Sequence, residues 1–198
     1  IYVDRQIRYG IQSVAKVGLP NDYVIPEGIV TIRPCAFEGI ENLHSITLPN
    51  SIMLIESSGE IFRDCLNFEF IYGRYASNDN KSAIINNCLF CGNTNAMLAF
   101  AGKGIKKYII SDEVNWLGDQ LFAYQNDLEE LVISDNVYFI GNHCFAYAPN
   151  LKTITLPANL EVFRYDPFIG SNNLETIYFR SPLPPKFEIG GIEQSEYP

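Results

Sequence analysis

The sequence predicts an α/β solenoid: short strands and short helical turns wound into stacked coils, all within one domain of 198 residues. Three observations carry this. Tyr108, Leu131 and Ile154 open consecutive units of 23 residues, and Phe122, Phe145 and Phe168 each fall 14 residues after an opening. Leu128, Leu151 and Leu174 close the units, each directly after Asp127, Asn150 or Asn173. A fixed period of this length marks an array in which one unit cannot bury its own apolar residues and stacked neighbours bury them together.

Taken in order, residues 1–22 are expected to form an N-terminal cap. Ile1-Tyr2-Val3 and Ile11-Gln12-Ser13-Val14-Ala15 read as two short strands around a turn at Tyr9-Gly10. Repeats then occupy 23–70 and 108–185, giving about six units in all. Counting from Tyr23 as position 1, apolar residues recur at positions 1, 3, 7, 10, 15 and 21: Tyr23, Ile25, Ile29, Ile32, Phe37 and Leu43. The next copy carries two extra residues near Ser57-Ser58-Gly59. Positions 1 and 3 alternate with polar or variable residues, which is the period of a strand with one face inward. Proline or serine at position 4 (Pro26, Pro49, Ser111, Ser134, Pro157) ends that strand. Positions 7 and 10 mark a second short extended segment or a turn across the coil, and the spacing from 15 to 21 allows a turn or two of helix. Position 20 holds Asn42, Asn67, Asp127, Asn150 and Asn173, whose side chains suit hydrogen bonds to neighbouring backbone at turns, so the column reads as a structural ladder.

Residues 71–107 break the rhythm. From Ile71 to Tyr108 is 37 residues, which leaves an insertion of 14. Tyr72-Gly-Arg-Tyr75, Ala83-Ile-Ile85, Cys88-Leu-Phe90 and Met97-Leu-Ala-Phe100 read as short strands, with Asn86-Asn87 as a hairpin turn. Pro182, Pro184 and Pro185 are expected to stop the ladder, and residues 186–198, a C-terminal tail with three glutamates, to cap the end or fray.

Composition narrows the function. The apolar runs are far shorter than the roughly 20 residues a membrane-spanning helix needs. A net charge of −9 with scattered acids repels a phosphate backbone, so nucleic acid is not an expected partner. The chain opens at Ile1, as a trimmed product would, so missing targeting information is uninformative. Five cysteines are an odd number and too few for a disulfide-stapled scaffold; Cys35, Cys65 and Cys144, close to repeat phenylalanines, fit small buried thiols.

Ile154-Thr-Leu-Pro157 with Leu160 and Phe163, Ile140-Gly141 followed by Cys144-Phe145, and Asn150-Leu151 before the next strand resemble the BspA-like leucine-rich repeat family. Tyr75-Ala-Ser77, Ile84-Ile85, Leu89 and Ala99-Phe-Ala-Gly102 resemble that family's interruption. The resemblance covers about 23–185, with Arg164-Tyr165 departing from the usual Ile-Gly. It implies a right-handed leucine-rich-repeat solenoid on secreted or surface-anchored bacterial proteins. It further implies adhesion and the binding of host or matrix proteins, with no catalytic residues.

Candidate chemistry is sparse, and no catalytic, cofactor-binding or metal-binding residues are predicted. Cys88-Leu-Phe-Cys91 is a C-x-x-C, but it follows a turn within strand-like sequence instead of opening a helix, and no second ligand pair accompanies it for zinc. His44 and His143 stand at different repeat positions, without a G-x-S-x-G pattern to accompany a Ser-His-Asp arrangement. Ala101-Gly-Lys-Gly104 lacks phosphate-loop spacing, Asn78-Asp-Asn80 lacks the Gly and Glu of a calcium loop, and Glu129-Glu130 reads as solvated.

The sharper expectation concerns position 2, which points outward. Thr47, Tyr72, Ile109, Val132, Thr155 and Tyr178 would stack about 4.8 Å apart along a parallel sheet as an uncharged strip for a protein or glycan. The plain alternative is a strip chosen only for strand propensity, in a passive spacer that displays another domain. The expected role is therefore a non-catalytic binding module, extracellular or at the cell surface.

Overall fold

Each repeat unit forms one coil with a front strand around positions 1 and 2 and a second strand at positions 9–10, which resolves the extended-or-turn segment of the sequence as extended. The computed structural model describes residues 6–7, 10–11, 18–56, 58–88, 91–183 and 185–187. In chain order the first strands are β1 (Gln6–Ile7), β2 (Gly10–Ile11), β3 (Asp22–Val24), β4 (Thr31–Ile32), β5 (Ser45–Leu48) and β6 (Leu54–Ile55). A single turn of helix, α1 (Ser58–Ile61), precedes β7 (Phe70–Gly73), β8 (Ser82–Cys88) and β9 (Thr94–Phe100). Then come β10 (Lys107–Ile109), β11 (Trp116–Leu117), β12 (Glu130–Val132) and β13 (Phe139–Ile140). The last strands are β14 (Thr153–Leu156), β15 (Val162–Phe163), β16 (Thr176–Phe179) and β17 (Lys186–Phe187). β5 and β14 stop at the residue before Pro49 and Pro157, where the missing N–H cannot continue a ladder.

The front of the solenoid is a parallel sheet in which like positions pair. Tyr23, Ile46 and Ile71 are in register, as are Tyr108, Leu131, Ile154 and Ile177. The position 9–10 strands pair in the same way along the back, for example Trp116-Leu117 with Phe139-Ile140. Both sheets divide at the irregular stretch. The front consists of β3-β5-β7 and β10-β12-β14-β16, the back of β1-β2-β4-β6 and β17-β15-β13-β11-β9-β8.

The divider is the antiparallel hairpin β8–β9. β9 takes the back-strand place of its own coil, with Ala96-Met97 paired to Trp116-Leu117. Successive strand residues point to opposite sides, so the hairpin supplies both halves. Ile85, Cys88, Ala96 and Leu98 join the N-terminal core, and Ile84, Met97 and Phe100 join the C-terminal one. This explains why Ala96 through Ala101 are buried without alternation.

Four details differ from expectation. β8 continues through Asn86-Asn87, and the extra residue is absorbed by a register shift between Ile85 and Cys88. The chain turns later, at Gly92 and Asn93, which take φ values of 78° and 62°. At the N-terminus the pairing is Gln6-Ile7 with Gly10-Ile11, so Gly10 lies in a strand; Ile1-Tyr2-Val3, Tyr9 and Gln12 to Ala15 lie outside the described residues. β2 also pairs in parallel with β4 and buries Ile11 in the Ile32 column, which extends that column one coil before Tyr23.

The third and fourth differences lie in the arc from position 13 to 20. The helical turns expected there are replaced by tight turns, as in Ala36 N to Arg33 O, Glu38 N to Cys35 O and Ile40 N to Phe37 O. The backbone is left-handed at position 13 (Cys35, Gln120, His143, Asp166) and at position 17 (Gly39, Asp64, Tyr124, Tyr147, Gly170). Most of these are not glycine, and each such residue costs about 1 kcal/mol or more. N–H groups of this arc are turned toward the next coil: those of the left-handed Gln120 and Tyr124, and of Phe122 between them, donate to Asn142, Ala146 and Cys144, at 2.8 to 3.1 Å. A helix would have consumed those donors within the coil. The same corner turns the Cys35 side chain outward, so this thiol is exposed and not buried as expected.

Inside the arc the position 15 rings form a column. Phe122 lies over Phe145 at 5.9 Å and Phe145 over Phe168 at 5.4 Å, both nearly parallel. Phe100 from the hairpin substitutes for the missing member, 4.9 Å from Phe122. The position 20 column is the ladder its spacing predicts, with each rung a bond to the preceding coil. Asn67, Asn150 and Asn173 donate to the carbonyls of Glu41, Asn126 and Pro149 at 2.6 to 2.8 Å. Phe145→Ala is expected to cost about 3–5 kcal/mol, while Met53→Ala, at an exposed position, is expected to cost under about 0.5 kcal/mol. Urea denaturation measures both, and near-equal values would contradict the column's role.

Candidate binding surface

Strand alternation places positions 1 and 3 in the core and leaves position 2 facing outward from the front sheet. Tyr72 is 39% exposed, Ile109 62% and Tyr178 57%, whereas Thr47, Val132 and Thr155 are half-buried. Thr47 pairs with Tyr72, and Ile109, Val132, Thr155 and Tyr178 follow in unbroken register. The structure does not bring Tyr72 beside Ile109, because the front sheet is interrupted between β7 and β10. The strip is therefore two rows.

Val24 belongs to the first row and was missed in the sequence. It pairs with Thr47 and is 66% exposed, more than any of the six. The signal was present, since Val24 lies between the core residues Tyr23 and Ile25 at the repeat's own spacing. The N-terminal row is also more aromatic than the position 2 column alone indicates: Phe70 stacks on Tyr72 at 5.8 Å, and His44 meets Phe70 edge-on at 5.3 Å.

One edge of the strip is a ladder of alternating charge. Glu129 lies between Lys106 at 3.0 Å and Lys152 at 2.8 Å, and Glu130 meets Lys107 at 2.7 Å. The Glu129-Glu130 pair is thus engaged in ion pairs and not merely solvated. In the N-terminal half, His44 lies between Asp22 at 2.8 Å and Glu69 at 3.6 Å, and Lys81 reaches Glu69 at 3.6 Å. The Lys152 and Lys106 ammonium groups hold the Glu129 carboxyl down at about 2, and Glu129 in turn raises the Lys152 ammonium. Asp22 is lowered by the Ser45 hydroxyl and then by His44. In the C-terminal half the lysines and glutamates pair with one another along that edge.

The remaining candidates have structural roles. Asp22 accepts hydrogen bonds from both Ser45 Oγ, at 2.7 Å, and the His44 ring. Because the hydroxyl donates to the carboxylate and not to the imidazole, the nucleophile–base bond of a hydrolytic triad is missing. His143 packs edge-on against Tyr165 at 5.4 Å. Asp79 caps its own turn by accepting from Ser77 Oγ at 2.6 Å and from Lys81 N at 3.0 Å. In the glycine-rich turn, Gly104 N–H donates to Asp127 at 2.8 Å. No group of three or more His, Cys, Asp and Glu is placed to hold a metal among the described residues, and none of their helices is long and apolar enough to cross a membrane.

The ladder makes a pH prediction. A carboxyl whose folded pKa lies below its unfolded value stabilises the fold fully above the unfolded value and loses that contribution as pH falls through the folded one. For Glu129 the window runs from the ordinary 4.5 down to about 2. Carboxyl-carbon NMR titration should find its midpoint near the bottom of that window, and Lys152→Ala with Lys106→Ala should return it toward 4.5. An unchanged midpoint in the double variant would refute the ladder.

Comparison with known proteins agrees with this geometry. The family model for the BspA type leucine rich repeat region, with six copies, matches residues 19–98 and 92–175. A comparison with curated proteins gives no match. Among solved structures, the chain is similar to a leucine rich cell surface protein from Faecalibacterium prausnitzii, at 19% identity and a TM-score of 0.57, covering 79% of this chain and 52% of that one. It is similar to the pneumococcal vaccine antigen PcpA at 18% identity and a TM-score of 0.53, covering 80% and 46%. The T. pallidum leucine rich repeat protein TpLRR follows at 19% identity and a TM-score of 0.51, covering 92% and 78%. The chain spans about half the length of the first two, and at these identities the likeness shows the fold alone. With the family model matched along most of its length, the chain belongs to the BspA-type leucine-rich repeat family.

Proposed function

We propose that this solenoid is a non-catalytic binding module whose front sheet docks a protein at or outside a bacterial cell surface. The observation that carries the reading is the exposed, uncharged position 2 strip, with Val24 and Tyr72 on one parallel ladder and Ile109 and Tyr178 on the other. Aliphatic and aromatic side chains on a fixed backbone lose little conformational freedom on docking, which is what an interface centre needs. The descriptions of the F. prausnitzii neighbour as a cell surface protein and of PcpA as a vaccine antigen support the location. A glycan partner is the alternative occupant of the same strip, and a passive spacer is the reading in which the strip has no occupant.

The test is binding of the whole chain to a panel of immobilised extracellular-matrix proteins and to a glycan array. Ile109→Glu and Val132→Glu should each weaken capture at least tenfold, about 1.4 kcal/mol, with melting temperatures close to the parent's. Signal confined to the glycan array identifies the alternative occupant, and no capture by any member favours the spacer. Loss of folding in either variant would make these core residues and end the proposal.

A further inference from the structure

The hairpin that divides the two cores ends in Cys88-Leu-Phe-Cys91, which neither the repeat nor the front-sheet reading uses. Cys88 closes β8 and Cys91 lies in the turn beyond it. Their sulfurs are 2.8 Å apart and both side chains are buried. We infer that Cys88 and Cys91 are a disulfide-forming pair, a covalent staple at the tip of the hairpin.

The backbone around them already has the required shape. Asn93 N–H donates to the Cys88 carbonyl at 2.9 Å, and Thr94 Oγ1 donates to the Cys91 carbonyl at 3.4 Å. Gly92 and Asn93, with φ of 78° and 62°, bring the chain back over Cys88. Bonding needs the sulfurs to close from 2.8 Å to about 2.0 Å, a side-chain movement that leaves the strands in place.

Other uses of the pair fit less well. A metal needs further ligands, and no group of three or more is placed for one among the described residues. A catalytic dithiol needs an accessible thiolate, whereas burial and the neighbouring Cys88 push the Cys91 thiol up to about 12. The other cysteines are engaged elsewhere or set apart: Cys65 donates to the Phe37 carbonyl at 3.0 Å, Cys144 is fully buried in the C-terminal core, and Cys35 is exposed on the turn arc.

The oxidant is a small-molecule disulfide such as glutathione disulfide. One cysteine thiolate attacks it, forming a mixed disulfide and releasing one thiolate; the second cysteine attacks the chain-side sulfur and releases the other. The two thiol protons end on the two released thiols, the cysteines are oxidised and the small disulfide is reduced. Since both sulfurs are buried in the folded chain, closure takes place while the hairpin forms, before the two cores cover it.

The staple is tested by refolding the reduced chain in a glutathione redox buffer, alkylating free thiols and digesting with trypsin. Cleavage after Lys81 and Lys103 releases residues 82–103, which contain these two cysteines and no other. The expected peptide carries no alkyl group and is lighter than its reduced form by two hydrogens; in Cys88→Ser the same peptide carries one alkyl group. A peptide alkylated at both cysteines, or one cross-linked to the Cys35 peptide, overturns the inference. The readout is independent of whether the front sheet binds anything.

Discussion

The apolar columns of this protein are buried by stacking, each coil covering its neighbours along the axis. Two extended ladders, the stacked phenylalanines and the hydrogen-bonded turn arc all run between coils. A single coil of 23 residues has no interior of its own, which is why the unit repeats and why its positions are interchangeable along the axis. The left-handed corners at positions 13 and 17 follow from the same constraint, since they aim N–H groups along the stack at the expense of local backbone strain. Gly170 shows how closely the coils approach at that arc: a Cβ there would stand 2.4 Å from the ring of Tyr147, which itself stacks on Tyr124.

The hairpin is the one place where stacking is achieved differently. A two-sided strand pair is inserted between coils, so each half rests on one face of β8–β9. The back ladder continues through β9, but β8 occupies its far side, and the front ladder has no strand to bridge β7 and β10. The consequence for function is geometric. The outward strip becomes a short aromatic row around Phe70 and Tyr72 and a longer row from Ile109 to Tyr178, separated by the irregular coil.

What was legible in the sequence was whatever stacking imposes at a fixed period. The phenylalanine column, the stops at Pro49 and Pro157 and the Asn/Asp ladder followed from spacing. The residues at 7 and 10 left an extended segment or a turn open, and the prolines from 182 to 185 do not stop the back ladder, which β17 extends at Lys186-Phe187. Local rules failed where an inter-coil partner outweighed them. Asn86-Asn87 has the chemistry of a turn, yet hairpin pairing on both sides carries the strand through it. The residues after position 15 are spaced for helix, yet their donors serve the next coil. Cys35 looked like its buried neighbours because sequence does not reveal which corner residue turns outward. Glu129 and Glu130 looked solvated because their lysine partners lie 23 residues away in both directions. Val24 alone was readable and overlooked.

With the interior assigned to stacking, the front strip is the largest feature that architecture leaves unexplained. Its tyrosines provide a direct measurement, because Tyr72 and Tyr178 face outward from the front sheet while Tyr147 and Tyr165 are exposed outside that sheet. Hydroxyl-radical footprinting of the chain, alone and saturated with the strongest binder from the matrix panel, reads all four in one experiment. The account predicts that oxidation of Tyr72 or Tyr178 falls on binding while that of Tyr147 and Tyr165 is unchanged. Protection of Tyr147 and Tyr165 with none at Tyr72 or Tyr178 would contradict it.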